Sequence, residues 1–322
     1  MFRVLTGLFI TLLAFVVLIL LASSFFISSD LPRHIVVDKY RNDASFFYRL
    51  PSGNLAHIRD EGQRDGPPLV LIHGAQGSLH TWEGWVAALG DRYRLISIDL
   101  PGHGLTGQTA EDDYSLDAVT RFTKDVIDVF GLEKVVLVGN SMGGSVALKF
   151  ALDYPKHVRA LVLTSPSGMV RDANADSVGA FNLTGSDTAR SMMRYITPRF
   201  LIANTLRGLV ADPDTIITEA MVTRYWELLL MTGSREAAIK RLANRDATAS
   251  LEPLLPAVRA PTLILWGALD PLIPMTQGVR MASAIRDSRI KIYPNAAHLA
   301  QAEIPEETAA DTRVFLQNLG VK

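Results

Sequence analysis

The chain contains no cysteine. Disulfide bonds, thiolate nucleophiles and cysteine-held metals are therefore excluded. It also lacks an excess of either charge: 32 Lys and Arg stand against 33 Asp and Glu, a formal net charge of −1. A nucleic-acid partner calls for a basic face, so none is expected. Internal repeats and low-complexity tracts are missing too. What the chain has in quantity is apolar material, 48% of 322 residues against 20% charged. That is enough for one large domain or two ordinary ones.

Charge is absent altogether from Val4 to Ala22, VLTGLFITLLAFVVLILLA. At about 1.5 Å per residue this run can cross a bilayer core, and it exceeds the ~7–15 apolar residues of a cleaved signal peptide. Residues 1–28 are accordingly expected to be a transmembrane anchor or uncleaved signal. The expected arrangement is a single membrane pass, with the N-terminus inside and the following domain outside the cytoplasm. Ala22 and Ser24 also fit a small-x-small cleavage site, so secretion after cleavage is the alternative. Residues 29–43 read as a polar linker.

From residue 44 the pattern changes. SFFYRL and NLAHIRD, parted by Pro51-Ser52-Gly53, predict an antiparallel hairpin. Short apolar runs then alternate with helical patterns: PPLVLIHG, RYRLISIDL, KVVLVG and VRALVLTSP are strands, and SLDAVTRFTKDVIDVFG is an amphipathic helix. Such alternation predicts a parallel sheet covered on both faces. It spans 44–168, stops, and resumes over 258–322 with APTLILWGALD and RIKIYPNAAH. Between them, 169–257 shows helical patterns only, which predicts a helical cap inserted between two strands of one sheet.

One stretch carries chemistry. Gly139-Asn140-Ser141-Met142-Gly143 fits G-x-S-x-G between a strand and a helix. The turn is sharp and strained, so the residues two before and two after the serine must lack bulk. The hydroxyl of Ser141 is then displayed at the sheet's tip, beside helix N–H groups that face a developing anion. A serine nucleophile needs a base, and the chain has seven histidines. His298 follows the last predicted strand, on the same sheet edge as Ser141; His103 in DLPGHG is its competitor there. The base needs an acid to fix its tautomer. Asp270, at the end of LILWGALD, is the better candidate, and Asp99 the competitor. The order Ser141, Asp270, His298 is the one this architecture uses. The oxyanion needs two backbone donors, assigned to the N–H of Met142 and of Ala75 in HGAQGS.

These motifs together resemble the α/β-hydrolase fold family, in its cap-bearing lipase/esterase, haloperoxidase-like and meta-cleavage-product hydrolase branch. The resemblance rests on LVLIHGAQGSLHTW, ISIDLPGHGLTG, VGNSMGGSVALKFALDYPKHVRALVL, LILWGALDPLIP and NAAHLAQAEIPEE, and covers about Ser45 to Leu319. It implies an eight-stranded, mostly parallel sheet with a helical cap after the sixth strand. It also implies acyl-enzyme hydrolysis without metal or organic cofactor. The serine at 141 sets aside the branches that use an aspartate nucleophile. GNSMGG resembles carbon–carbon bond hydrolases, which typically carry a tryptophan shortly after the catalytic histidine and a cap arginine for the substrate's acid group. Here Leu299-Ala300-Gln301-Ala302 follow His298, and the cap offers Arg194, Arg199 and Arg224. The expected activity is therefore that of a membrane-anchored serine esterase or lipase acting on small, apolar, monoacylglycerol-like esters. Carbon–carbon bond hydrolysis, acyl transfer and perhydrolysis through the same triad are the alternatives.

Overall fold

The computed structural model describes residues 13, 27–170, 187–244 and 250–321. Its centre is one eight-stranded sheet in the order β1-β2-β4-β3-β5-β6-β7-β8. The strands are β1 (Ser45–Arg49), β2 (Leu55–Gly62), β3 (Pro68–Ile72), β4 (Arg94–Ile98), β5 (Val135–Asn140), β6 (Val158–Thr164), β7 (Thr262–Gly267) and β8 (Ser288–Tyr293). β2 runs antiparallel to β1 and β4; the pairings from β4 through β3 to β8 are all parallel. This is the α/β-hydrolase architecture expected from the sequence.

The near-continuous apolar strands are explained by the two faces they serve. Side chains alternate across a sheet, so Val70 and Ile72 of β3 join one core while Leu69 and Leu71 join the other. The first core is closed by helices α3 (Leu116–Val129) and α4 (Met142–Asp153), through Val119, Phe122, Val146 and Phe150. The second is closed by α2 (Glu83–Leu89) and the C-terminal α12 (Pro305–Asn318), through Trp85, Phe315 and Leu316. Ser115 caps α3 by accepting from Ala118 N–H, as its position before the apolar periodicity suggests.

Between β6 and β7 the described residues form helices only: α5 (Asp187–Met192), α6 (Arg199–Arg207), α7 (Pro213–Ile216), α8 (Glu219–Leu230), α9 (Ser234–Asn244) and a 3₁₀ turn over Glu252–Ala257. The remainder of the expected cap, 171–186 and 245–249, lies outside the described residues. Stretch 29–43 is not the linker its polarity suggested. It contains α1 (Arg33–Tyr40), which docks on both cap and core. Lys39 Nζ lies 2.6 Å from Glu227, Arg235 pairs with Asp30, and Arg33 donates to the carbonyls of Leu105 and Thr106.

The expected membrane placement is corrected. Among the described residues no helix is long and apolar enough to cross a membrane. The longest, α3 and α12, have 14 residues each, about 21 Å of helix against a hydrocarbon core of about 30 Å. The segment directly after the apolar run docks on the cap from Ile27 onward, through pairings with Ile196 and Met231. Val4–Ala22, on which the expectation rested, lies outside the described residues.

α10 (Met275–Ala284) shows how packing supports the site. Gly278 lies against the Trp266 ring, where an added Cβ would sit 2.4 Å from Cε3. Trp266 in turn donates from Nε1 to Ile273 O at 3.2 Å, pinning the loop that carries Asp270. Replacing a helical glycine by alanine ordinarily gains about 1 kcal/mol, whereas overpacking a rigid contact costs about 1–3. Gly278→Ala is therefore expected to lower stability by about 1 kcal/mol net, read as a lower urea midpoint; a raised midpoint would contradict this packing.

Candidate active site

The parallel strands from β4 to β8 point their C-terminal ends to one edge, and the candidate residues follow those ends. Ser141 follows β5, Asp270 follows β7 and His298 follows β8. Ser141 has φ 52° and ψ −118°, left-handed backbone for a residue with a side chain. The glycines permit it. An added Cβ on Gly139 would lie 2.3 Å from Gly143 O, and one on Gly143 would lie 2.2 Å from Ile72 O. Strained backbone of this kind costs about 1–3 kcal/mol and persists only where the surroundings over-determine it. Here Ser141 N–H donates to Thr164 O at 3.1 Å, and Ser141 O accepts from Gly144 and Ser167 N–H at 2.9 and 3.0 Å.

His298 Nδ1 lies 2.8 Å from Asp270 Oδ2, with His298 2% and Asp270 8% exposed. A carboxylate only accepts, so Nδ1 carries a proton, and the tautomer this contact favours in the neutral ring is the one with its lone pair on Nε2. The other Asp270 oxygen accepts from Leu272 and Ile273 N–H, both at 2.9 Å, which fixes the carboxylate's plane. Ser141 and His298 line one cavity of about 590 Å³, within the usual range for small-molecule sites. Ala75 and Met142 line it too. Among the described residues neither of their N–H groups meets a protein acceptor, as an oxyanion site requires.

The competitors are otherwise engaged. Asp99 is buried and accepts from His57 Nδ1 at 2.6 Å and from Leu79 and Leu105 N–H, both at 2.8 Å. It therefore holds loops rather than His298. His103 donates from Nδ1 to Pro101 O at 2.9 Å and accepts from Arg241 at Nε2. Burial, and then the Arg241 charge, hold its pKa well below the ordinary histidine value. Both nitrogens are thus occupied, and it is a poor base.

Three site features escaped the sequence reading. Asn140 Nδ2 donates to Thr164 O at 3.1 Å and to His298 O at 3.3 Å, tying the serine turn to the histidine loop. Glu303 accepts from Ala297 N–H at 2.9 Å and from cap residue Ala211 N–H at 2.7 Å. Arg241 lines the cavity, whereas Arg194, Arg199 and Arg224 do not, being paired with Glu236, Glu219 and Glu83. No sequence signal separates Arg241 in AAIKRLAN from its neighbour Lys240, which is paired with Asp112.

A family model for the alpha/beta hydrolase fold matches residues 67–305. The chain belongs to the α/β-hydrolase fold family. It is 26% identical over 259 residues to the 2-hydroxy-6-oxo-6-phenylhexa-2,4-dienoate hydrolase of Comamonas testosteroni, a match covering 79% of this chain and 88% of that one. It is 30% identical over 260 residues to the 2-hydroxy-6-oxononadienedioate/2-hydroxy-6-oxononatrienedioate hydrolase of Paraburkholderia phymatum, covering 78% and 86%. Among solved structures, a meta-cleavage product hydrolase from Pseudomonas fluorescens IP01 superposes with a TM-score of 0.73 at 24% identity, over 86% of this chain and 99% of that one.

The Asn140 tether yields a test. Asn140→Ala strips the donor from two buried carbonyls, which costs about 1–3 kcal/mol. The histidine loop is also loosened, so kcat is expected to fall about tenfold, equivalent to about 1.4 kcal/mol of barrier. Urea unfolding and steady-state kinetics read the two effects, and unchanged kcat would show that the tether does not position His298.

Proposed function

We propose that the protein is a serine hydrolase of acidic, conjugated ketones, breaking a carbon–carbon bond beside the keto group. The observation that carries the hydrolase part is the arrangement on one cavity. Ser141 and His298 line it together, and His298 Nδ1 is held by Asp270. The relatives carry the bond type. The compounds in their names are hydroxy-oxo-dienoates and dioates. Such molecules contain no ester or amide, so a hydrolase acting on them has a carbon–carbon bond to break.

In this reading Ser141 Oγ attacks the keto carbon while His298 Nε2 takes its proton. The oxyanion is received by the N–H groups of Ala75 and Met142. With the substrate's enol first shifted to its keto tautomer, its proton moving to the carbon beside the attacked keto group, collapse breaks the adjacent carbon–carbon bond, and the departing electron pair spreads into the conjugated carbonyl system of the leaving group. That group takes the proton from His298 and leaves with its carboxylate still ionised. Water, activated by the same histidine, then releases the acyl group from Ser141.

Ester hydrolysis of apolar acyl groups is the second reading, and two observations favour it. No tryptophan stands among Leu299, Ala300, Gln301 and Ala302 after His298, and Leu299 packs with Leu209 and Val210. The cavity walls include Leu116, Val146, Met169 and Leu251. The same triad chemistry serves there, with an alcohol as leaving group.

Ser141→Ala is expected to abolish turnover by at least about 10³-fold and to lose covalent labelling by a fluorophosphonate. Side-by-side kcat/KM values on 2-hydroxy-6-oxo-dienoates and on 4-nitrophenyl alkanoates separate the readings. Turnover confined to the esters would select the second; unchanged labelling of the variant would remove Ser141 as nucleophile.

A further inference from the structure

The cavity wall beyond Ser141 carries three serines that the proposed reaction does not use. Ser145 stands one turn along α4, Ser167 in the loop after β6 and Ser250 just before the 3₁₀ turn, and all three line the cavity with Ser141. Val146, Met169 and Leu251 make the same wall otherwise apolar. Ser250 is engaged by backbone: its Oγ donates to Gly168 O at 3.0 Å and accepts from Glu252 N–H at 3.1 Å. The hydroxyls of Ser145 and Ser167 meet only each other among the described residues, Oγ to Oγ at 2.7 Å.

The cause lies at Ser141. A helical serine often returns its proton to the carbonyl four residues back, which for Ser145 is Ser141 O. That carbonyl already accepts from the N–H groups of Gly144, Ser145 and Ser167, at 2.9, 3.3 and 3.0 Å. The Ser145 hydroxyl is turned to Ser167 instead. Two hydroxyls carry two protons, and their mutual bond uses one. The other proton has no protein acceptor among the described residues and lies in the cavity wall. Ser145 is 7% exposed, and a donor left unpaired in such a place is costly until an oxygen meets it. Gly168 leaves the pair uncovered. It has φ +118°, and a Cβ there would lie 3.5 Å from both Ser145 Oγ and Leu251 Cδ1.

We propose that Ser145 and Ser167 form a hydrogen-bonding subsite for an uncharged oxygen, a hydroxyl or keto group, on the acyl part of the substrate. The acyl part is assigned because it stays on Ser141 Oγ through both half-reactions, and both serines are bonded to Ser141's own carbonyl. The leaving group must face His298, which neither hydroxyl touches. Side chains four apart on a helix stand about 5–6 Å apart, a span met by an oxygen on the third acyl carbon. The inference rests on the Ser141 reading for which part of the substrate meets the pair, and on the cavity alone for binding. It holds whether the scissile bond is carbon–carbon or ester, and it does not depend on substrate charge.

Two arms test it on the full chain. In the first, 4-nitrophenyl 3-hydroxybutyrate, as its faster enantiomer, is compared with 4-nitrophenyl butyrate. Both are uncharged and differ by one hydroxyl. The ratio of their kcat/KM values should fall about five- to tenfold in Ser145→Ala and in Ser167→Ala. It should fall little further in the double variant, because the two hydroxyls act as one unit. A double variant whose ratio stays within twofold of the unaltered chain's overturns the proposal, even if both esters slow through poorer folding. A bond that merely ties α4 to the loop would act on both esters alike. The second arm needs no turnover. Methyl 3-hydroxybutyrate binding to Ser141→Ala, followed by ligand-observed NMR, should weaken by a similar factor when both serine changes are added, and methyl butyrate binding should not. Hydroxy-ester binding that is absent in Ser141→Ala, or indifferent to the two serines, overturns the subsite. Serine-dependent binding with no hydrolysis of either ester by the unaltered chain leaves the subsite standing and counts against the Ser141 reading alone.

Discussion

The site depends on how closely three backbone segments approach behind Ser141. Gly139 touches the carbonyl of Gly143, and Gly143 touches the carbonyl of Ile72 at the end of β3. Gly74 meets the Asn140 and Ser141 side chains, where a Cβ would lie 2.8 Å from Asn140 Oδ1 and 3.1 Å from Ser141 Cβ. The serine turn and the loop after β3 are therefore one packed unit. Ala75 belongs to that loop and Met142 to that turn, so in the proposed reaction their two N–H groups are fixed relative to Oγ before any substrate arrives. Donors held in advance cost no reorganisation when charge develops, which is where most of their catalytic value lies. The positive φ at Ser141 is the local cost, offset by the hydrogen bonds its own N–H and C=O make.

The acid–base arm comes from a part of the chain more than a hundred residues later, and it is fastened differently. Asp270 is set by two backbone N–H groups and by the loop that Trp266 pins. His298 is reached from three sides. Asn140 donates to its carbonyl, Asp270 accepts from its Nδ1–H, and its own N–H donates to Leu209 O of the cap at 3.0 Å. Glu303 adds a bridge from Ala297 to Ala211, and burial, opposed by these backbone donors, raises its pKa. The helical insertion thus does more than cover the cavity. It is hydrogen-bonded to the loop that carries His298.

Ser141, Asp270 and His298 were legible in the sequence because each stands at a strand end. Strand ends are visible as apolar runs that stop at glycine or proline. The sheet was legible for the same reason, since strands buried on both faces read as unbroken Val, Leu and Ile. Arg241 was not legible, because an amphipathic helix pattern does not say whether its polar face meets water or a cavity. Stretch 29–43 was misread because polarity suggested solvent, whereas Asp30, Arg33 and Lys39 find partners on the cap and on the loop after β4. The membrane placement rested on span length, which measures composition and says nothing of where the following residues dock.

A second trio in the same molecule shows what makes the first one a site. Asp99 lies 2.6 Å from His57 Nδ1, and His57 Nε2 lies 3.0 Å from Ser45 Oγ. By side-chain distances alone this is a serine, a histidine and an aspartate in the catalytic order. Yet Ser45 sits on extended strand β1 with its backbone paired to Arg59 of β2, and neither Ser45 nor His57 lines the cavity. Nothing there presents two open N–H groups to an oxyanion, and the ring of His57 is stacked on Phe47 at 4.9 Å. Asp99 spends its remaining acceptor capacity on Leu79 and Leu105 N–H. The trio ties β1, β2 and the loop after β4 together, which is a folding role. What sets the Ser141 trio apart is therefore the strained turn, the neighbouring N–H groups of Ala75 and Met142 and the cavity that Ser141 and His298 line, and the hydrogen-bonded trio is only the part that is easiest to recognise.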